Sequence, residues 1–422
     1  MYDVREAVSS VPRQTALVVG LIGGSQFVNH AFLVLLPPVL PVISDDLGVP
    51  ISMLGLALGV GALVNTVCQL PFGYLADHYD RTIALGLSSV VGASGALVTA
   101  VASSFPELLV GQVLLGIGIG GHHPAHYPLL SDATTDRGRG RAFAVYNFGG
   151  SLGFATPPVV FTVVIAVLGL TWRDAVGLMA VVGLGYAVVV TAVVHWRVDD
   201  EISAPNVDGG AASTTDSSRR ARVRTELRTL VAEPGILALA VLTLLSSTAS
   251  WGLTTYAVVF LTDVYRLSLG VANLVLTGLF VVGAGAILVG GYLTDTVGGG
   301  RVLVASTAGL TLLLGVISAQ LVPALVVVGL FLLLGGVRSL ASPARDELTE
   351  RLAVRGTVGK SFAVVTIGIM LGNAIAPPAF GYLVEWDGVA TAFVAITGVS
   401  LGATAVTLVV VTRFVEEARA QG

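Results

Sequence analysis

The chain carries little charge for its length, because Asp, Glu, Lys and Arg make up only 11% of its 422 residues. Soluble proteins carry about 25%. Its single cysteine, Cys68, excludes an internal disulfide framework. No glycine-rich phosphate loop, nucleophile elbow, HExxH or CxxC pattern occurs. These absences argue against a soluble domain, an ATP-driven pump and an enzyme, and no cofactor is expected.

Hydrophobic residues are abundant instead, at 54% of the chain, and the mean hydropathy is +0.88. A helix needs about 20 apolar residues to cross ~30 Å of hydrocarbon. Runs of that length predict an all-α membrane protein with twelve transmembrane helices. The predicted spans are 14–43, 51–76, 82–104, 107–131, 141–168, 174–196, 236–261, 270–294, 301–321, 325–344, 360–384 and 389–412. Pro37, Pro38 and Pro41 predict a bent or extended outer end for the first span.

The basic residues predict the orientation of the spans. All but three of the 22 Lys and Arg residues lie at the termini or in the links from even-numbered to odd-numbered spans. The exceptions are Arg173, Arg266 and Arg338. Because basic residues stay on the cytoplasmic side, both termini are expected in the cytoplasm. Lys360 is the only lysine, which suggests a GC-rich prokaryote and hence a location in the plasma membrane.

One polar segment, residues 198–232, interrupts the apolar runs. Its Gly, Ser, Thr and Asp content is typical of a flexible linker. The chain therefore divides into an N-terminal six-helix bundle at 1–197, a cytoplasmic linker at 198–232 and a C-terminal six-helix bundle at 233–422. The linker holds a basic group made of Arg219, Arg220, Arg222, Arg224 and Arg228. This group is either a topology signal or a site of attraction to anionic lipid headgroups.

Short motifs repeat in the two halves of the chain. The sequence GYLAD at 73–77 recurs as GYLTD at 291–295, and Pro157-Pro158 recurs as Pro377-Pro378. Duplicated halves in so apolar a chain are typical of membrane transporters.

The loop after the second span, GYLADHYDR, resembles the pattern G-x-L-x-D-R-x-G-R-R of the major facilitator superfamily. Four residues match the pattern, and three depart from it. The matches are Gly73, Leu75, Asp77 and Arg81, and the departures are His78, Asp80 and Thr82. The resemblance implies two pseudo-symmetric six-helix bundles. It also implies a monomer in the lipid bilayer that acts on a small-molecule substrate and has no nucleic-acid partner.

A narrower resemblance is to the fosmidomycin-resistance branch. It rests on FVNHAFLVLLPPVLP in span one, QLPFGYLAD in span two, GIGIGGHHPAHYPLL in span four and FGGSLGFATPP in span five. That branch typically carries His-Pro-Glu at the end of span four, where this chain has His123-Pro124-Ala125. It also has an acid near the middle of span one, where this chain has Asn29-His30. Both departures remove a carboxylate, so the branch's coupling mechanism does not transfer directly.

The loop motif is the candidate conformational latch, because the resemblance implies that its contacts hold one conformation and break during the cycle. We expect Gly73 to let helices pack closely. Asp77 should face a helix N-terminus, and Arg81 should bond carboxylates or carbonyls of a neighbouring helix. The second copy consists of Gly291, Asp295 and Arg301. The alternative is a static turn that only fixes topology.

The spans contain polar side chains but no Asp or Glu in their interior. Ionisable residues in lipid are costly and are candidates for function. The resemblance implies that spans one, four, seven and ten line a central cavity. Candidates on these spans for binding the substrate or a coupling ion are Gln26, Asn29, His30, His122, His123, His126, Trp251, Tyr256 and Arg338. The alternative for each histidine is a structural hydrogen bond between helices.

Histidine is the candidate proton carrier, because imidazole exchanges protons near neutral pH. His30, near the middle of its span, is the first candidate and His122 the second. His122 and His126 share a helix face, and Pro124 should kink that helix. Clustered histidines can bind zinc. No Cys, Asp or Glu lies nearby, however, so no metal site is expected.

The sequence thus predicts a secondary active transporter of a small organic solute that works by alternating access. Arg338 and the absence of interior acids favour anionic or neutral substrates. Gly149, Gly153 and Pro157 in span five form a helix-packing pattern similar to an antiporter motif, which favours export. The alternatives are uptake of a small metabolite, such as an organic acid or sugar, and a receptor or sensor on the same fold.

Overall fold

The computed structural model describes residues 13–204, 233–353 and 358–415, and within these ranges the chain is helical and contains no strand. The helices before the polar segment are α1 Arg13–Leu33, α2 Leu40–Leu47, α3 Ile51–His78, α4 Arg81–Val101, α5 Phe105–Asp132, α6 Asp136–Phe161, α7 Trp172–Arg197 and α8 Asp200–Ser203. Those after it are α9 Pro234–Asp263, α10 Leu269–Val297, α11 Gly299–Ser318, α12 Ala324–Leu352, α13 Val358–Asp387 and α14 Val389–Val409. Two π-helical stretches, Thr162–Val167 and Val410–Val415, extend α6 and α14.

Twelve of these helices are long and apolar enough to cross a membrane, counted over the described residues. They are all except the short helices α2 and α8. Their lengths of 20 to 30 residues suit the ~30 Å thickness of the hydrocarbon layer. The prediction of a multi-pass membrane protein with twelve spans is confirmed.

The first predicted span is interrupted, as its prolines indicate. Helix α1 ends at Leu33, a 3₁₀ turn occupies Pro37–Val39, and the chain continues as α2. Proline cannot donate the hydrogen bond that would extend α1 through this point. The second half of the predicted span 14–43 is therefore not a continuation of the α1 helix.

The helices group into two compact units, each with its own core. Of the described residues, the first unit comprises those up to 35 and those from 60 to 204, and the second comprises 36–59 and those from 233 onward. In the first unit α1 packs on α6, and α4 packs on α5 and α7. In the second unit α9 packs on α13, and α11 packs on α12 and α14. The same pairing in both units agrees with the internal repeat.

Residues 36–59, which belong to the predicted bundle 1–197, group with the second unit. The predicted division of the chain at 197 and 233 stays a prediction. Of the predicted linker 198–232, the structure describes residues 198–204, which include α8. The basic group falls outside the described residues, so its two interpretations stay open. Its members are Arg219, Arg220, Arg222, Arg224 and Arg228.

Glycines allow the backbones of α1 and α6 to touch. A Cβ atom added at Gly149 would clash with the carbonyl oxygen of Gly23, and one at Gly153 would clash with that of Phe27. Pro157 is buried one turn further along α6. Backbone atoms cannot move aside as a flexible side chain can, so the pair needs residues without a Cβ here. This geometry agrees with the helix-packing role predicted for Gly149, Gly153 and Pro157.

The second unit repeats this contact between α9 and α13. A Cβ atom at Gly368 would clash with the carbonyl oxygen of Ala240, and one at Gly372 would lie 2.7 Å from that of Leu244. The repeat therefore extends to the backbone contact between equivalent helices.

Candidate functional site

Four of the predicted histidines come together in the first unit. His30 lies on α1, while His122, His123 and His126 lie on α5. The ring centroids of His122 and His126 are 5.2 Å apart, and those of His30 and His123 are 6.4 Å apart. With Tyr146 of α6 these residues form what we call the histidine cluster.

On α1, His30 bonds through only one of its ring nitrogens. The amide nitrogen of Gln26 lies 2.7 Å from His30 Nε2, and the Asn29 amide donates to Gln26 Oε1 at 3.5 Å. An amide nitrogen only donates, so His30 Nε2 accepts and the ring proton sits on Nδ1. His30 Nδ1 has no hydrogen-bond partner among the described residues and lies beside Gly150. This nitrogen remains available to a further partner.

On α5, His122 makes a bond within its own helix. Its Nδ1 lies 2.9 Å from the carbonyl oxygen of Gly118, and its Nε2 lies 3.5 Å from Ser89 Oγ on α4. A carbonyl only accepts, so Nδ1 carries the proton. His122 is 2% exposed. These contacts agree better with a structural role than with proton carriage.

The other two histidines of α5 share one partner, Tyr146. Its hydroxyl lies 2.9 Å from His123 Nδ1 and 3.3 Å from His126 Nδ1. His126 also bonds Ser25 Oγ on α1 through Nε2, at 2.9 Å. His126 and Tyr146 are buried, while His123 is half-buried. This chain of bonds therefore joins α1, α5 and α6.

A metal site finds no support in the described part of the chain. No group of three His, Cys, Asp or Glu side chains there could hold a metal ion. The nitrogens of His126 are bonded to Ser25 and Tyr146, and Nδ1 of His122 is bonded to backbone. The zinc alternative therefore lacks the ligand set that it requires.

Three members of this hydrogen-bond network, Ser25, Ser89 and Tyr146, were not among the predicted site residues. Serine is common in transmembrane helices and gives no signal by itself. Tyr146 lies on the turn before the Gly149 and Gly153 motif of α6, which was interpreted only as a packing surface. Its position within an apolar run was the one available signal.

In the second unit, Arg338 of α12 is half-buried. Its Nη1 donates to Thr254 Oγ1 on α9 at 3.1 Å, and its guanidinium carbon lies 6.0 Å from the ring centroid of Phe280. No carboxylate among the described residues forms an ion pair with it. Asp346, eight residues further along the same helix, is bonded by Arg345 at 2.8 Å. Arg338 therefore brings a positive charge into a transmembrane helix without a counter-charge from the same unit.

The other two candidates of the second unit lie on α9. Tyr256 is fully buried, and its hydroxyl donates to the carbonyl oxygen of Pro377. A Cβ atom at Gly381 would lie 2.5 Å from that hydroxyl. This environment favours a packing role for Tyr256. Trp251 is half-buried.

In the first unit, the residue of the predicted latch that makes contacts with other helices is Arg81. Arg81 is 5% exposed, and its Nη1 donates to Asp132 Oδ2 at 2.6 Å and to the carbonyl oxygen of Ile202 at 2.7 Å. These are the carboxylate and carbonyl contacts expected of it. Asp77 is exposed and makes no hydrogen bond within the described ranges.

Asp80, which departs from the family pattern, is the acid at a helix N-terminus. Its Oδ1 accepts hydrogen bonds from the backbone of Thr82 at 2.6 Å and of Ile83 at 2.9 Å, which caps α4. The expectation of close packing at the motif glycines is not met. A Cβ atom at Gly73 would come no nearer than 4.0 Å to Pro124, and one at Gly291 would have no neighbour within 4 Å.

The second copy of the motif makes fewer contacts. Asp295 and Arg301 are both exposed, and neither forms an ion pair in the part of the chain that the structure describes. Helix α11 starts at Gly299, where a Cβ atom would clash with the Glu347 carboxylate. The two copies therefore differ in how firmly their arginines are held.

Comparison with known proteins agrees with this architecture. A relative from Escherichia coli (strain K12), a probable L-galactonate transporter, is 23% identical over 60% of this chain and 55% of its own length. The fosmidomycin resistance protein of the same organism is 25% identical over 42% of this chain and 45% of its own. The chain thus matches about half the length of these curated relatives.

A solved structure shares the fold over nearly the whole chain. It is a bacterial homologue of the human lysosomal transporter Spinster, in an inward-facing and unoccupied conformation. The TM-score is 0.77 at 16% identity, covering 96% of this chain and 98% of the other. The sequence model of the Major Facilitator Superfamily matches residues 22–272 and 239–422. The predicted fold is confirmed, the expectation that the chain is not an enzyme is confirmed by its family, and the chain belongs to the Major Facilitator Superfamily.

Proposed function

We propose that this protein is a secondary transporter that moves a small organic solute across the membrane by alternating access. The observation that carries the proposal is the set of ionisable side chains inside otherwise apolar spans, above all His30 and Arg338. His30 keeps its Nδ1 atom without a hydrogen-bond partner among the described residues, and Arg338 keeps its positive charge without a carboxylate partner there. Such groups are costly in a membrane and are retained where solutes or ions bind.

Transport itself is tested with purified protein in proteoliposomes. Saturable, concentration-dependent flux of a small solute is the expected result. Binding without flux would support the other class, a receptor or sensor on the same fold.

The substrate is proposed to be anionic or neutral. A guanidinium presents a planar fork of donors that suits carboxylate, phosphate or phosphonate groups. Arg338 supplies such a fork, with Thr254 and Phe280 beside it. The spans offer no interior Asp or Glu to balance a cation.

We therefore predict that organic anions inhibit flux and organic cations do not, and that Arg338→Gln removes the inhibition by anions. Arg345→Gln is the matched control, because it removes the same charge from the same helix at an exposed ion pair. Its anion response should stay within about twofold of wild type, since exposed pairs contribute little. Saturable transport of a permanent cation that Arg338→Gln does not change would contradict the proposal.

The direction of transport is proposed to be export, with uptake as the second candidate. The Gly149 and Gly153 motif and the fosmidomycin resistance relative favour export. The L-galactonate transporter relative makes uptake of an organic acid the alternative. Flux measured under imposed gradients of either sign, in vesicles of known orientation, distinguishes the two.

The coupling ion is proposed to be the proton, with His30 as its first carrier. His122 is the second candidate, and its bonds to Gly118 and Ser89 favour a structural role instead. The protein is further proposed to act as a monomer in the plasma membrane, with both termini in the cytoplasm. The distribution of arginines supports this orientation.

A further inference from the structure

The hydroxyl of Tyr146 lies between two histidines of the same helix. It is 2.9 Å from His123 Nδ1 and 3.3 Å from His126 Nδ1, and no third partner of this hydroxyl is found in the described ranges. Tyr146 is 1% exposed and His126 is fully buried, so the bond between these two side chains is closed to water.

The number of protons constrains this arrangement. A phenol hydroxyl carries one proton and can accept another bond, while a neutral imidazole carries its proton on one nitrogen only. Both contacts are hydrogen bonds, with the hydroxyl proton also bonded, only if one Nδ1 is protonated and the other is not. If both were protonated, the hydroxyl proton would be left buried without an acceptor, at a cost of about 1–3 kcal/mol. The tautomers of His123 and His126 are therefore linked through Tyr146.

Through its other ring nitrogen, Nε2, His126 connects this pair of histidines to α1. Its Nε2 lies 2.9 Å from Ser25 Oγ, which can accept a hydrogen bond from an N–H there. His123 is half-buried, so it is the member of the pair that has exposed surface. The titratable side chains that face the pair are His30 on α1, His122 and Tyr127 on α5 and Tyr146 on α6.

We propose that Tyr146 is a proton relay between His126 and His123, and this inference rests on the proposed proton coupling. In the forward step the Nδ1–H bond of a doubly protonated His126 breaks and its proton passes to the Tyr146 oxygen. At the same time the Tyr146 O–H bond breaks and its proton forms an N–H bond at His123 Nδ1. The phenol is neutral before and after, one positive charge moves between the imidazoles, and Ser25 keeps the His126 Nε2–H bond throughout.

The first test needs no substitution. ¹⁵N NMR of histidine-labelled protein reports which ring nitrogens carry protons, and the chain has only 6 histidines. The expected result is one protonated and one unprotonated Nδ1 in the His123 and His126 pair at neutral pH. If the Nδ1 atoms of His123 and His126 were both protonated, or both unprotonated, the relay would be ruled out.

The second test is Tyr146→Phe, which removes only the hydroxyl. Tyr127→Phe is the matched control, because its ring lies 5.9 Å from Tyr146 on the same side of α5 while its hydroxyl bonds neither histidine. Tyr146→Phe should lower flux driven by a pH gradient roughly tenfold or more while solute exchange without a gradient continues. Tyr127→Phe should leave both rates at wild-type values.

The two proposals fail in different ways. If the wild-type protein transports solute but shows no pH-driven flux, the proposed proton coupling fails, and the NMR measurement still decides whether the two tautomers are linked. If wild-type flux is pH-driven and Tyr146→Phe retains it in full, the relay is wrong and the coupling stands.

Discussion

The bonding of each ring nitrogen decides which histidine can exchange a proton. His122 has Nδ1 bonded to the carbonyl oxygen of Gly118, and His126 has both nitrogens bonded. His30 bonds only Gln26, and its Nδ1 lies beside Gly150 without a partner. Among the described residues, His30 and His123 each bond through one ring nitrogen only, so these two histidines are the ones left to bind a solute or a proton.

We predict that His30→Gln lowers pH-driven flux more than His122→Gln does. Glutamine keeps hydrogen-bonding capacity near the ring position but cannot carry the proton. The measurement is uptake of labelled solute by proteoliposomes under an imposed pH gradient. His195→Gln, at an exposed position near the end of α7, is the control and should behave as wild type. Full proton dependence in the double variant His30→Gln/His122→Gln would exclude both residues as carriers.

At this scale the sequence identified the ionisable members of the cluster but not their partners. His30, His122, His123 and His126 could be found because a charged or titratable side chain is rare within a transmembrane helix. Ser25 and Tyr146 could not, since only the packing of α1 and α6 against α5 brings their hydroxyls to the imidazoles. The capping of α4 by Asp80 could not be predicted from the family pattern, because that pattern has glycine at this position.

Among the helices, α1 and α6 make a close backbone contact beside the histidine cluster. It holds Gln26 and His30 beside Gly150, and it places Ser25 and Tyr146 on opposite sides of His126. Without a hydrophobic driving force between helices in lipid, close contact through small residues is a main source of stability.

We predict that Gly153→Ala destabilises the protein by about 1–3 kcal/mol, as overpacking of a tight contact does. The new methyl group would meet the carbonyl oxygen of Phe27, which belongs to the backbone and cannot turn away. Gly20→Ala on α1 is the control, because no atom lies within 4 Å of its would-be Cβ. The control should be neutral or stabilising by up to about 1 kcal/mol, since alanine is the better helix former. The measurement is thermal unfolding in detergent, and equal midpoints for the two variants would contradict this account.

The number and position of the long helices could be predicted because hydrocarbon thickness sets their length. The short helices α2 and α8 could not be predicted, since they are too short to leave a recognisable apolar run. The π-helical stretches at Thr162–Val167 and Val410–Val415 could not be predicted from the sequence either, because their residues are as apolar as those of the preceding helix.

On the scale of the whole molecule, two units share one pattern of helix pairing but differ in chemistry. The described histidine cluster belongs to the first unit, where Arg81 is buried against Asp132 and Ile202. The equivalent Arg301 in the second unit is exposed. Duplication has therefore preserved the packing more closely than the polar contacts.

We predict an asymmetric response when the two loop motifs are altered. Arg81→Ala and Asp77→Asn should lower transport roughly tenfold or more, while Arg301→Ala and Asp295→Asn should change it by less than about twofold. The physical reason is that Arg81 is buried and bonded to two groups, whereas Arg301 is exposed. For Asp77, which is as exposed as Asp295, the expectation rests on its place in the family motif. Flux is measured after normalising to the amount of inserted protein. Equal losses from both copies would show that the motif acts symmetrically, and wild-type rates in Arg81→Ala and Asp77→Asn would exclude a latch.

The contact between α1 and α6 also has a consequence for biosynthesis. Gly149 follows Gly23 by 126 residues (149 minus 23), so α1 leaves the ribosome long before its partner exists. At about 5–20 residues per second, the interval is roughly 6–25 s. Throughout that time Gln26 and His30 lack the helix that later packs against them. A newly made α1 must therefore wait beside the insertion machinery or expose these two polar side chains to lipid.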